Sequence, residues 1–117
     1  MTQLEAARVE QITLQMETVA QAEALAAAEL RALLAAGQVV IPANKNHSAL
    51  HPVGIGKGLR IKVNANIGTS PDESSSEENA RKAQVATEAG ADTLMDLSIA
   101  GDISEIRRSL ITELPVP

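Results

Sequence analysis

Arg60-Ile-Lys-Val-Asn-Ala-Asn-Ile67 reads as a β-strand, from about Leu59 to Ile67 with Gly68 at its end. Side chains along a strand alternate faces with period 2. Arg60, Lys62, Asn64 and Asn66 therefore share one face, and Ile61, Val63, Ala65 and Ile67 share the other. The apolar face suits burial under helices. The polar face calls for hydrogen-bond partners or a ligand, because buried amides left unpaired are costly. The alternative is an edge strand of a small sheet with its polar face in water.

Downstream, Thr69-Ser-Pro-Asp-Glu-Ser-Ser-Ser76 is rich in turn formers. Ser75-x-x-Glu78 is a capping-box pattern that opens a helix running to about Ala89, with Gly90 closing it. Thr93-Leu-Met-Asp-Leu-Ser-Ile99 reads as a second strand. Asp102-x-x-Glu105 opens a further helix with Ile103, Ile106 and Leu110 on one stripe and Arg107 and Arg108 on the other side. Pro115-Val-Pro117 reads as the lead into a third strand. Short strands alternating with helical patterns predict an α/β fold with parallel pairing.

Upstream, residues 1–36 read as helix in two segments. One runs from about Thr13 to Ala24 with Leu14, Met16 and Val19. The other carries Leu30, Leu33 and Leu34 at i, i+3, i+4. The helix-favouring run Ala26-Ala-Ala28 allows the two to merge into one long helix. Gly37 stands where a helix C′ glycine belongs. Val39-Val-Ile41 is a short β-branched run, and residues 42–58 form a loop dense in Pro, Asn and Gly. The expected organisation is a helical extension with a Gly/Pro-rich loop over 1–58, then strand–helix units over 59–117.

Composition narrows the function. The 117 residues contain no Phe, Tyr, Trp or Cys, and 20 are alanine. Any core is built from Leu, Ile, Val and Met, which makes it thin. Without cysteine this chain offers no disulfide, thiolate zinc site or cysteine nucleophile, and no ligand for an iron–sulfur cluster. Fifteen acidic residues against ten basic give a net charge of −5. With no aromatic stacking platform, that excludes nucleic acid as the expected partner, and the acidity disfavours an anionic membrane surface. No apolar run of membrane-spanning length and no secretory signal shows, so a cytoplasmic location is expected.

Several residues have chemistry to offer. Asn66 lies at the carboxyl end of the polar face, where ligands sit if the strand belongs to a barrel. Gly54-Ile-Gly-Lys-Gly58 has the composition of a phosphate loop in the wrong context. It precedes a strand, opens no helix, and reads as a turn. His47 and His51 are four apart, but Asn46 and Pro52 argue against the helix that would set both on one metal. Met95 and Asp96 fall on opposite strand faces. The carboxylate inside a strand wants a reason, and the residues do not settle which of the two faces a pocket. Asp72, Glu73, Glu77 and Glu78 read as a solvated helix start.

In order and spacing, four segments resemble the phosphomethylpyrimidine synthase (ThiC) family. They are Ile41-Pro-Ala-Asn-Lys-Asn-His47, Gly54-Ile-Gly56, Ile61-Lys-Val-Asn-Ala-Asn-Ile-Gly68 and Gly90-Ala-Asp-Thr-Leu-Met-Asp-Leu-Ser98. Met1-Thr-Gln-Leu-Glu-Ala-Ala-Arg8, Ile106-Arg-Arg108 and Pro115-Val-Pro117 fit as well. The resemblance covers essentially the whole chain and corresponds to the family's N-terminal portion. It implies a radical S-adenosylmethionine lyase on a (β/α)8 barrel, of which this chain carries the first two βα units, an incomplete barrel. It implies a homodimer that converts aminoimidazole ribonucleotide to hydroxymethylpyrimidine phosphate in thiamine biosynthesis. A close branch makes 5-hydroxybenzimidazole, and a non-catalytic fragment acting only through assembly is the further alternative. The resemblance assigns substrate contact to Asn66 and Met95. It places the 4Fe–4S cluster, S-adenosylmethionine and zinc or iron on a part of the enzyme outside these 117 residues. No catalytic, cofactor-binding or metal-ligating residue is expected here. Where the family continues M-D-L-S with Thr-Gly, this chain has Ile99-Ala100.

Overall fold

The computed structural model describes residues 1–73 and 75–117; Ser74, within the expected turn-rich loop, lies outside the described residues. The fold is mixed α/β, with helices and short strands in two compact units. One comprises Met1–Ala43 and Pro52–Ile61, the other Asn44–His51 and Lys62–Pro117.

The first unit holds three short helices, α1 (Gln3–Arg8), α2 (Leu14–Ala22) and α3 (Ala27–Ala35), and a two-residue antiparallel pair, β1 (Val39–Val40) with β2 (Ile55–Gly56). The separate α1 is a departure from the two-segment reading, and its signal is Thr2-x-x-Glu5. The Thr2 hydroxyl accepts from the Glu5 N–H at 3.2 Å, and the Glu5 carboxylate accepts from the Thr2 N–H at 2.6 Å, a complete capping box. Those bonds, the backbone one first, hold the Glu5 carboxyl below its ordinary value. Their support of α1 is therefore present above the ordinary carboxylate range and is lost as pH falls through the lowered one.

α2 and α3 do not merge. Ala24 takes φ 55°, its N–H bonds the Gln21 carbonyl, and the Leu25 N–H bonds the Ala20 carbonyl. This Schellman closure recurs after α1 at Glu10 and after α3 at Gly37. An L-residue in the left-handed region costs about 1–2 kcal/mol, whereas glycine pays about 0.5–1 kcal/mol in backbone entropy. Ala24 is exposed and packs against little. Ala24→Gly is therefore expected to raise the unfolding free energy by about 0.5–1 kcal/mol. A urea melt in which the variant is less stable than the parent would contradict this.

The core of this unit joins Ala6 and Ala7 of α1, Met16, Val19 and Ala20 of α2, and Leu30 and Leu34 of α3 with Val39 and Ile41. Alanines at the helix contacts let the backbones close in where larger side chains are few. Leu14, expected to join them, is 72% exposed. The glycine string, expected as a turn within a loop over 42–58, instead supplies β2, because Val39 and Val40 pair with it; a Cβ on Gly56 would lie 2.2 Å from the Gln38 carbonyl oxygen.

The second unit is a β–α–β–α arrangement: β3 (Asn64–Ile67), α4 (Ser76–Glu88), β4 (Thr93–Asp96) and α5 (Ile103–Glu113). β3 and β4 are parallel, as expected. The caps are the expected ones, with Ser75 Oγ accepting from Glu78 N–H and Asp102 accepting from Glu105 N–H. Gly90 closes α4 with the same Schellman bonds.

Both strands are shorter than read. Upstream of Asn64 two backbone donors go to side chains instead of a neighbouring strand. The Arg60 N–H bonds the Glu23 carboxylate at 2.8 Å, and the Val63 N–H bonds the Asp92 carboxylate at 2.8 Å. The expected burial of the whole apolar face is therefore wrong for Ile61, 88% exposed, and Val63, 60% exposed; Ile67 is buried. This unit buries little apolar surface: Ile67, Ala83 and Ile106. Beside them the Asn79 side chain is buried in α4 with no hydrogen-bond partner for Oδ1 or Nδ2 among the described residues.

The loop 44–51 is tied to the chain that follows α5. The His47 Nε2 and the Leu114 carbonyl form a short hydrogen bond, and the His51 N–H donates to the Pro115 carbonyl at 2.7 Å. Pro115–Pro117 runs back to β4, where the Leu94 N–H donates to the Pro117 carbonyl at 2.9 Å. No strand is assigned over 115–117, so the expected lead into a third strand goes no further than this bond.

Candidate functional site

Parallel pairing sets Asn64 opposite Thr93, Asn66 opposite Met95 and Ile67 opposite Asp96. Register partners in a parallel pair share a face, so Asn64, Asn66, Thr93 and Met95 lie together. The opposite face carries Ile67, which is buried, and Asp96, which reaches Arg107 of α5 at 3.3 Å. Helices thus cover one side, and the amides occupy the open one. Of the two residues left open, Met95 shares the Asn66 face, and Asp96 lies on the face of Ile67 and reaches Arg107.

The amides form a chain of bonds. The Thr93 hydroxyl donates to Asn64 Oδ1 at 2.9 Å, and Asn64 Nδ2 donates to Asn66 Oδ1 at 2.9 Å. The Asn66 side-chain oxygen is thereby engaged, which leaves its Nδ2 as the group that can donate to a ligand. An oriented donor suits ring nitrogens, hydroxyl oxygens or a phosphate oxygen. Met95, half exposed, adds a soft, polarisable surface beside it.

Asn66 also borders a cavity of about 410 Å³ at the carboxyl end of β3, with Gly68, Ser70, Lys82, Leu97 and Ile99. Met95 does not line that cavity. It lines another, of about 420 Å³, beside β4 with Leu94, Asp96, Leu110 and Val116. The two expected contact residues are therefore adjacent on one face, with Asn66 toward one opening and Met95 toward the other.

The remaining candidates resolve differently. The His47 ring is engaged with the Leu114 carbonyl, whereas His51 is tied through its backbone N–H and its side chain is exposed. Among the described residues no group of three or more His, Cys, Asp or Glu is placed to hold a metal ion. With no cysteine in the chain, no thiolate is present for a 4Fe–4S cluster, so that group does not fit these residues. Asp72, Glu73 and Glu77 are exposed, as a solvated helix start should be, and Glu78 lies 4.0 Å from Arg81.

Sequence reasoning missed Thr69 and Ser98, both buried, and Lys82. Thr69 N–H donates to Ser98 Oγ at 3.1 Å and Thr69 Oγ1 donates to the Ala100 carbonyl at 2.6 Å. Ser98 in turn bonds Asp96 through both its N–H and its hydroxyl. The available signal was Asp96 itself, a carboxylate within a strand with no stated partner.

The fold and the site together define a mixed α/β protein with a parallel β–α–β unit that carries a polar open face. The chain belongs to the Radical SAM ThiC family, whose model matches residues 2–117. It is 56% identical over 115 residues to the phosphomethylpyrimidine synthase of Moorella thermoacetica, covering 98% of this chain and 27% of that protein. It is 52% identical over 117 residues to that of Carboxydothermus hydrogenoformans and 49% identical over 117 to that of Pyrococcus abyssi. Each of these covers 100% of this chain and 27% of the relative. The chain thus spans about a quarter of the length of these relatives. No helix among the described residues is long and apolar enough to cross a membrane.

Proposed function

We propose that these residues supply the substrate face of a phosphomethylpyrimidine synthase, with Asn66 and Met95 contacting aminoimidazole ribonucleotide. In this reading residues 59–117 are the first βα units of a (β/α)8 barrel and 1–58 its helical extension. The enzyme is a homodimer that rearranges the ribonucleotide to hydroxymethylpyrimidine phosphate. The 4Fe–4S cluster and S-adenosylmethionine are held outside this chain. The carrying observation is the pairing of Asn66 with Met95 on the open face, with the Asn66 amide oriented through Asn64 and Thr93. The names of the relatives support the product, and the ribonucleotide is what the family resemblance implies.

The test is nuclear magnetic resonance of the 117-residue chain labelled at methionine methyls and side-chain amides. Millimolar aminoimidazole ribonucleotide is expected to move the Met95 methyl and the Asn66 amide. Met16 is in the core of the other unit and should stay fixed, an internal control. Equal movement with ribose 5-phosphate alone, or no movement of either group, would count against the reading.

A further inference from the structure

We infer that Asp96 is a positioning residue, acting through Ser98 and Thr69 to lock together the loops that leave β3 and β4 and so to fix Asn66 against Met95. Its part in ligand binding rests on the substrate reading above; its part in geometry does not.

Asp96 lies at the last paired position of β4, opposite Ile67, with its side chain only 11% exposed. Its two oxygens are divided. Oδ2 accepts from Arg107 Nε at 3.3 Å. Oδ1 accepts from the Ser98 N–H at 3.2 Å and from the Ser98 hydroxyl. A carboxyl group has two oxygens and can accept on both sides at once, which a side-chain amide with its single oxygen cannot. With its proton committed to Asp96, the Ser98 oxygen is left as an acceptor, and it takes the Thr69 N–H at 3.1 Å.

The link therefore runs from α5 through β4 to the loop after β3. Thr69 returns its own hydroxyl to Ala100 at 2.6 Å, and the Ile99 N–H bonds the Thr69 carbonyl at 3.0 Å. Thr69 and Ser98 are both buried, so water cannot readily replace either partner. Gly68 makes the approach possible: a Cβ there would lie 2.8 Å from the backbone at Leu97 and Ser98. Thr69 is three residues past Asn66, and Ser98 three past Met95. The clasp thus closes directly beyond the two residues of the open face while touching neither.

The expected consequences separate this from a purely structural role. Asp96→Asn presents an amide donor to either Arg107 or Ser98 and releases the serine hydroxyl. The Thr69 amide is then expected to exchange with deuterium about tenfold faster. The nuclear Overhauser contact between the Asn66 amide and the Met95 methyl should weaken, and ribonucleotide affinity should fall about tenfold. Arg107→Lys keeps the charge and should retain most of both quantities. If Asp96→Asn fails to fold, Ser98→Ala reads the same quantities with the ion pair intact, and Ser98→Thr should restore them. Faster Thr69 exchange with an unchanged Asn66–Met95 contact would overturn the proposal, and so would unchanged exchange. A parent chain that ignores the ribonucleotide would sink the substrate reading alone, because exchange and the Asn66–Met95 contact still judge the clasp.

Discussion

Leu30→Ala is expected to destabilise the first unit by about 2–5 kcal/mol, the usual range for deleting a fully buried leucine. Leu30 is 0% exposed and sits among Ala6, Ala7, Met16, Val19 and Leu34. Alanines cannot grow into the space, and there is no aromatic ring to lean into it. The removed atoms therefore leave most of their volume as a void. Against a typical total of about 5–15 kcal/mol, that is a large share. Leu14→Ala is the paired control: Leu14 is 72% exposed, so its change should stay within about 0.5 kcal/mol. Urea melts of both variants check the claim, and a Leu30→Ala loss below that of Leu14→Ala would refute the core as described.

Asn66→Ala is expected to weaken ribonucleotide binding about 5- to 150-fold, which corresponds to about 1–3 kcal/mol for a lost polar contact. The fold should not notice. Asn66 is exposed, and its structural bond is one accepted from Asn64, whose amide also remains open to water. Asn64→Ala tests the orientation argument. Asn64 is exposed too, so its loss should leave the melting temperature almost unchanged and free the Asn66 amide to rotate, weakening binding less than Asn66→Ala does. Calorimetric titration and thermal melts separate these outcomes. Binding by Asn66→Ala equal to the parent, or unfolding by that variant alone, would remove Asn66 from the site.

Much of this was readable from the residues, for local reasons. Ser75 and Asp102 carry side-chain acceptors just before helical periodicity, so two helix starts were plain. Gly37 and Gly90 marked two helix ends. Period-2 alternation in Asn64-Ala-Asn-Ile67 placed both asparagines on one face. The ends marked by Glu10 and Ala24 were not readable, because neither residue type prefers the left-handed region. There, hydrogen bonds to Ala6, Ala7, Ala20 and Gln21 carbonyls outweigh the local preference. The exposure of Ile61 and Val63 was hidden for a related reason. Alternation reports which residues share a face, and tertiary bonds from Glu23 and Asp92 determine where pairing begins. Of the clasp only Asp96, a carboxylate within a strand, gave a signal; its partners did not, since the clasp joins Thr69 to Ser98 across 29 residues.

Asn79 bears on how the second unit breathes. An unpaired amide held away from water costs about 1–3 kcal/mol, and lifting α4 alone returns it to solvent. Among the described residues of this unit only Ile67, Ala83 and Ile106 are buried apolar residues, so little apolar contact opposes that excursion. The helix therefore has a private, low-energy route to opening that leaves the rest of the chain folded. Its central amides should trade hydrogen for deuterium through that partial opening, ahead of any cooperative transition, and the segment between β3 and β4 becomes the place where a protease first finds a substrate.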